Sequence, residues 1–262
     1  MFENYVEEQK ELLPFVKKQY NMFPKLQLPS FYESGNNFIE SRIRNNTTKW
    51  WREIENCVEE ICYAYCFFKE YICLKDTYHE DVESDSFNRA YEILLFEIPF
   101  WTNNLLSRLY SFREKIAHLI FFLNDGVLRI GRKNKKYRMR DISFSNIHQS
   151  IRDFSQKDKL PVWLSYNDKE VMLKALKEFG SEEVKNLLDI RHAFIHNSSP
   201  AIDTTGTGLL LFGGEMNGDG NFSVEIERPP NYDYQTIESE FLKIWEIFKE
   251  NTIKISRLEF FQ

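Results

Sequence analysis

Residues 86–124, SFNRAYEILLFEIPFWTNNLLSRLYSFREKIAHLIFFLN, decide the fold. Apolar side chains recur every three or four positions, at Tyr91, Leu94, Leu95, Ile98, Trp101, Leu105, Leu109, Phe112, Ile116, Leu119 and Ile120. That rhythm follows the roughly 3.6-residue period of an α-helix, so one side of the run faces a core. Pro99 interrupts it. A proline has no amide hydrogen and crowds the preceding turn, so a kink or break is expected nearby. Asn124-Asp125-Gly126 ends the run.

Helical spacing continues on both sides. Toward the N-terminus, the stretch from Lys49 to about Lys75 has apolar residues at 50, 54, 57, 61, 64, 65, 68 and 72, and Asn45-Asn46-Thr47-Thr48 is a plausible start for it. Residues 1–33 carry Pro14, Pro24 and Pro29 and suggest an irregular arm with a short helix from Tyr5 to Tyr20. His79 to Ser86 is polar and acidic, as in a loop. Toward the C-terminus, helices are expected at Ser143–Phe154 and Trp163–Phe179, the second capped by Asn167 or Asp168. Gly180 would end it, and Ser181 would cap the next helix, Ser181 to Ile190, with Glu182 and Glu183 in its first turn. Thr207–Phe212 and Phe222–Glu227 have strand character across a glycine-rich loop, and an amphipathic helix follows from Tyr234 to Ile255. The expected fold is mainly α. It is a helical bundle over 81–262, with a small β-hairpin insertion near 207–227 and an N-terminal helical extension, 1–80, packed on it.

The 262-residue chain is 42% hydrophobic, which is enough to fill a sizeable core. No stretch reaches the roughly 18 uncharged apolar residues of a membrane span. The opening Met1 to Glu8 lacks the basic and apolar regions of a signal peptide, so a cytoplasmic location is expected. Cys57, Cys62, Cys66 and Cys73 fall in one helical segment. Their spacing does not suit a zinc site, and the aromatic residues between them favour buried thiols. A formal charge of −6 argues against nucleic-acid binding over the whole surface. A local contact has one strong candidate in residues 129–140, where seven of twelve are basic, among them Arg132, Lys133, Lys135, Lys136 and Arg138.

Arg191-His192-Ala193-Phe194-Ile195-His196-Asn197 brings together a fixed cation, two imidazoles and an amide. Arginine holds phosphate through two parallel hydrogen bonds, and histidine moves protons near neutral pH. Together these groups can cleave a phosphodiester without a metal. The spacing alone is weak, because Arg113 and His118 repeat it inside the long helical run. There a gap of five puts the two side chains on different faces, and Arg113, Glu114 and Lys115 read as surface or interface charges. Two other readings of the Arg191 copy stand beside catalysis. His192 and His196 could form a metal pair, though without a visible third ligand. Arg191 and His196 could also simply cap the helix C-terminus.

The segment resembles the HEPN superfamily of helical domains, whose members carry Arg-x4-6-His. Arg191 and His196 match that pattern, and Val184 to Ile190 resembles the helix that carries it. His192 stands where asparagine is commoner. The resemblance implies a metal-independent endoribonuclease, of toxin or antiviral type, that needs no cofactor. It implies Arg191 and His196 as catalytic residues, His192 and Asn197 in support, and a homodimer pairing two motifs in one cleft. Cleavage by 2′-hydroxyl attack would leave a 2′,3′-cyclic phosphate, and a separately encoded antitoxin could restrain it. The other reading within the same family is a non-catalytic module that binds RNA or nucleotide, or a dimeric sensor.

Overall fold

The computed structural model describes residues 2–24, 26, 38–80, 89, 92–123, 142–154, 166–196, 211–216, 222–227 and 234–258. Helix α1 is Phe2–Met22, α2 Phe38–Glu80, α3 Ile98–Leu123, α4 Phe144–Phe154, α5 Tyr166–Phe179, α6 Glu182–His196 and α7 Tyr234–Ser256. Strand β1, Leu211–Met216, pairs antiparallel with β2, Phe222–Glu227, placing Leu211 opposite Glu227 and Met216 opposite Phe222. The described chain is predominantly helical, and no helix among the described residues is long and apolar enough to cross a membrane.

Helix α3 is the axis of the packing. Its apolar stripe, including Leu105, Leu109, Phe112, Ile116, Leu119 and Ile120, is fully buried. One flank lies along α2, and α4 and α6 pack on the others. Phe112 reaches α7, with its ring centroid 5.7 Å from Trp245 and 5.6 Å from Phe248. Phe179 at the end of α5 meets Phe248 edge-on at 4.8 Å. Aromatic side chains buried this way contribute roughly 1.5–3 kcal/mol each relative to exposure, and their edge and offset contacts add to that.

Within the periodic run that decides the fold, the described residues 92–123 are helical, with one irregularity among them. A π-helical turn, Ile93–Glu97, leads into α3, and the Ile98 amide donates to the Ile93 carbonyl five residues back. The wider turn comes just before Pro99, which has no N–H to give the carbonyl of Leu95. The expected interruption is therefore absorbed as a π-turn, and the helix continues.

Several boundaries differ from expectation because tertiary packing overrides local signals. Asn45 to Thr48 lies inside α2, which starts at Phe38 and spans 43 residues, about 65 Å at the standard rise. The Thr47 hydroxyl donates to the Ile43 carbonyl at 2.9 Å, so it serves the helix interior and caps nothing. Pro14 lies inside α1, which is longer than the short helix expected there. Leu12, Val16 and Phe23 are buried while Pro14 is exposed, so the carbonyl it leaves unserved can meet water. Asn167 and Asp168 lie within α5, whose first residue is Tyr166, so neither is the cap expected there. Strand β1 includes Gly213 and Gly214, which the sequence assigns to a loop, and residues 207–210 lie outside the described residues.

Candidate functional site

Ser181 starts α6 as expected. Its carbonyl accepts from the Lys185 amide at 3.1 Å, and its hydroxyl lies 3.5 Å from the Val184 amide. The Glu183 carboxyl is held below its ordinary value by its own backbone amide and by the Ser181 hydroxyl. The Ser181 hydroxyl and the Glu183 carboxyl thus serve first-turn amides that have no partner within the helix.

The helix does not stop at Ile190. It continues through the whole motif to His196, so Arg191 is a helical residue and not the first residue of an exit loop. The geometry of the motif changes with it. Positions 192 and 196 stand one turn apart on the same side of α6. Positions 191 and 196 lie about 140° apart around the axis. The separation that discounts Arg113 with His118 thus applies equally to Arg191 with His196. Described side chains on α6 end at Arg191. Asn197 and the basic residues Arg132, Lys133, Lys135, Lys136 and Arg138 lie outside the described residues.

Arg191 is half-buried against α3. Its Nε donates to the Ser107 hydroxyl at 3.2 Å, and its Cζ lies 4.4 Å from the centroid of the Tyr110 ring. Ser107 Oγ also lies 3.4 Å from Asn103 Oδ1, so it can accept from Arg191 while donating to Asn103. Among the described residues, no carboxylate pairs with Arg191. The guanidinium is therefore oriented by a hydroxyl and an aromatic face.

Arg113 is more than the surface or interface charge expected of it. Its side chain is only 13% exposed, and its Cζ lies 5.2 Å from the same Tyr110 ring and 4.8 Å from Phe144. Its Nε is buried with no hydrogen-bond partner among the described residues. Glu114 Oε1 is 3.8 Å away, while the other oxygen of that carboxylate accepts the Phe144 amide at 2.9 Å and anchors the start of α4. Burial lowers the Arg113 pKa, the nearby Arg191 cation lowers it further, and Glu114 and Tyr110 oppose the shift. His118 has a separate role. Its ring stacks on Trp50 at 4.2 Å, and its Nδ1 lies 2.9 Å from the Glu114 carbonyl. Lys115 binds the Glu53 carboxylate at 3.1 Å and ties α3 to α2. The second Arg-x4-His copy thus divides between two faces, as its spacing implies.

A cavity of about 350 Å³ opens beside Arg113, bounded by Phe144, Ser145, His148, Gly180 and Lys185. Gly180 suits the close packing there, because a Cβ at that position would sit 3.1 Å from Phe144 Cε1 and 3.3 Å from the Leu176 carbonyl. Lys185 pairs with Glu182 at 3.0 Å, but both side chains are more than half exposed. A larger and more open hollow of about 540 Å³ lies between α2 and α3. Its cation, Arg108, is already paired with Glu60 at 3.0 Å. Sequence reasoning read Arg113 as a surface or interface charge and passed over His148 and Lys185. The available signal was position 113 at the margin of the apolar stripe, four residues after Leu109 and three before Ile116.

Cys57, Cys62 and Cys66 are buried in the core, Cys73 is exposed, and no disulfide links them. Cys57 Sγ lies 3.3 Å from the Arg108 carbonyl, and burial pushes its pKa up from 9.0 to about 12. Among the described residues no group of three His, Cys, Asp or Glu side chains is placed to hold a metal ion. No family model, curated protein or solved structure matches the chain.

Proposed function

We propose that the chain is a metal-independent endoribonuclease of HEPN type, acting as a toxin or antiviral effector in the cytoplasm, with each active site shared between two protomers. The observation that carries this reading is Arg191. Its fork is aimed by Ser107 and Tyr110, stands beside a second guanidinium and has no carboxylate partner among the described residues. Such a group suits the negative charge that grows on a phosphate as it is cleaved. His196 takes the proton from a ribose 2′-hydroxyl, whose oxygen attacks the adjacent phosphorus. The bond to the leaving 5′-oxygen breaks, and that oxygen gains a proton from a second imidazole. The products are a 2′,3′-cyclic phosphate and a 5′-hydroxyl. His192 and Asn197 orient the phosphate or the acting imidazole, and Arg132, Lys133, Lys135, Lys136 and Arg138 hold the RNA backbone. Because positions 191 and 196 diverge around α6, an Arg191 from one chain and a His196 from another form the natural pair. A separately encoded antitoxin would act by covering this groove.

The test is cleavage of single-stranded RNA in EDTA by wild type, Arg191→Ala and His196→Ala. Wild type should cut and leave cyclic-phosphate ends, and both variants should fail. Equal cutting by His196→Ala sinks the catalytic assignment. The same divergence around α6 also favours a second reading, a non-catalytic HEPN-like module that binds RNA or nucleotide or senses as a dimer. On that reading nothing is cut, Arg191→Ala loses RNA binding, and His196→Ala retains it.

A further inference from the structure

We propose that the cavity bounded by Arg113, Phe144, Ser145, His148, Gly180 and Lys185 binds the phosphate of a phosphorylated small molecule of nucleotide size. This site is centred on Arg113, a neighbour of Arg191 over the Tyr110 ring, and its occupancy does not depend on cleavage. The argument begins with a charge left incompletely neutralised. Arg113 is largely buried, its Nε has no partner among the described residues, and Arg191 lies against the same Tyr110 ring. The one carboxylate beside it, Glu114, is 3.8 Å away and is shared with the Phe144 amide. Burying a cation this way is costly, and an anion entering the cavity would offset that cost. The remaining groups suit the task. Lys185 adds a mobile positive charge, since an exposed pair such as Lys185 with Glu182 is weak and readily exchanged. Ser145 sits in the first turn of α4, where the helix dipole favours negative charge. His148 stands one turn further along the same helix. A free phosphate would leave most of about 350 Å³ unfilled, and that volume lies in the range of small-molecule sites. The organic body of the ligand occupies the remainder, beside Phe144 and the α4 side chains.

Replacing Arg113 would remove packing against Phe144 and Tyr110 and so risks the fold. Ser145→Asp avoids this. Ser145 is exposed, and a carboxylate in the first helical turn stabilises the helix while it repels an anion from the cavity. Titration of the full chain by calorimetry with AMP, adenosine and inorganic phosphate tests the proposal. AMP should bind saturably, inorganic phosphate should compete with it more weakly, and adenosine should not bind. Ser145→Asp should weaken AMP by about tenfold or more without lowering the melting temperature. Absence of saturable AMP binding overturns the proposal. So do adenosine binding as tight as AMP, phosphate binding without AMP binding, and an unchanged AMP affinity in Ser145→Asp. None of these outcomes depends on whether RNA is cut.

Discussion

Arg191 has a simple energetic logic. A guanidinium in water samples many orientations, whereas here Ser107 and Tyr110 hold one of them before any ligand arrives. If that preorganisation serves the transition state, Arg191→Ala should lower kcat by about 10²–10³ with little change in KM. Arg191→Lys should recover little, because an ammonium lacks both the fork and the flat face that stacks on Tyr110. Single-turnover cleavage measures both. Cys57 carries a second prediction at this scale. Its folded pKa is raised to about 12 from an ordinary 9.0, so the native state holds the proton more tightly than the unfolded chain does. Stability from this group is therefore complete below about pH 9 and is lost as pH rises toward 12. Burial of Tyr65 and Tyr234 raises their pKa values too, in the same sense. Urea midpoints should stay level to about pH 9 and then fall. In native protein only Cys73 should react quickly with a thiol reagent, the other three cysteines following on denaturation. Rapid reaction of more than one thiol would contradict the buried placement.

Helices are where the sequence was most legible, and the reason is physical. The apolar stripes of α3 and α7 are written in side chains such as Phe112, Ile116, Phe241 and Trp245, whose burial is too large for local preferences to alter. Ser181 with Glu183 is a local capping device and could be read without knowing the fold. Boundaries were less legible where a signal has two uses. Thr47 can cap or back-bond, and only the burial of Ile43 beside it decides. The end of α6 belongs to the same class, because nothing local at Ile190 shows that the helix will continue through the motif. That shift matters most for the site, since it parts positions 191 and 196. The burial of Arg113 was only partly legible, because Tyr110 is its neighbour on α3 but Phe144 reaches it only through the α3–α4 packing. The α5–α7 contact offers a test at this scale. Asn251 Nδ2 donates to Glu178 Oε2 at 2.7 Å and to the Ile247 carbonyl at 2.8 Å. Burial pushes the Glu178 carboxyl up, but Asn251 and Lys254 outweigh it and hold the pKa below its ordinary 4.5. A depressed carboxylate stabilises the fold above its unfolded pKa, and that contribution is lost as pH falls through the folded one. Asn251→Ala should cost about 1–3 kcal/mol in denaturant unfolding at neutral pH. It should also flatten the acid limb of the stability profile below pH 4.5.

At the scale of the molecule, the proposed activity is a property of two chains. Arg191→Ala and His196→Ala, each inactive alone, should regain a fraction of wild-type cleavage when unfolded together and refolded as a mixture, because some dimers then carry one intact pair. Failure to complement, with dimers shown to exchange, would mean that both residues act from a single chain or that cleavage needs His196 from both chains. One contact described by the structure bears on how such a molecule is made. The Trp245 indole donates to the Pro24 carbonyl at 3.0 Å, and Phe23 lies 5.8 Å from that indole and 6.4 Å from Phe241. These partners are 221 residues apart. A ribosome adding roughly 5–20 residues each second therefore delivers α7 about 10 to 45 s after Pro24. Throughout that interval Phe23 has no indole to close over it. The newborn N-terminal segment is then a natural client for chaperones, and pausing upstream of codon 234 should lengthen its exposure.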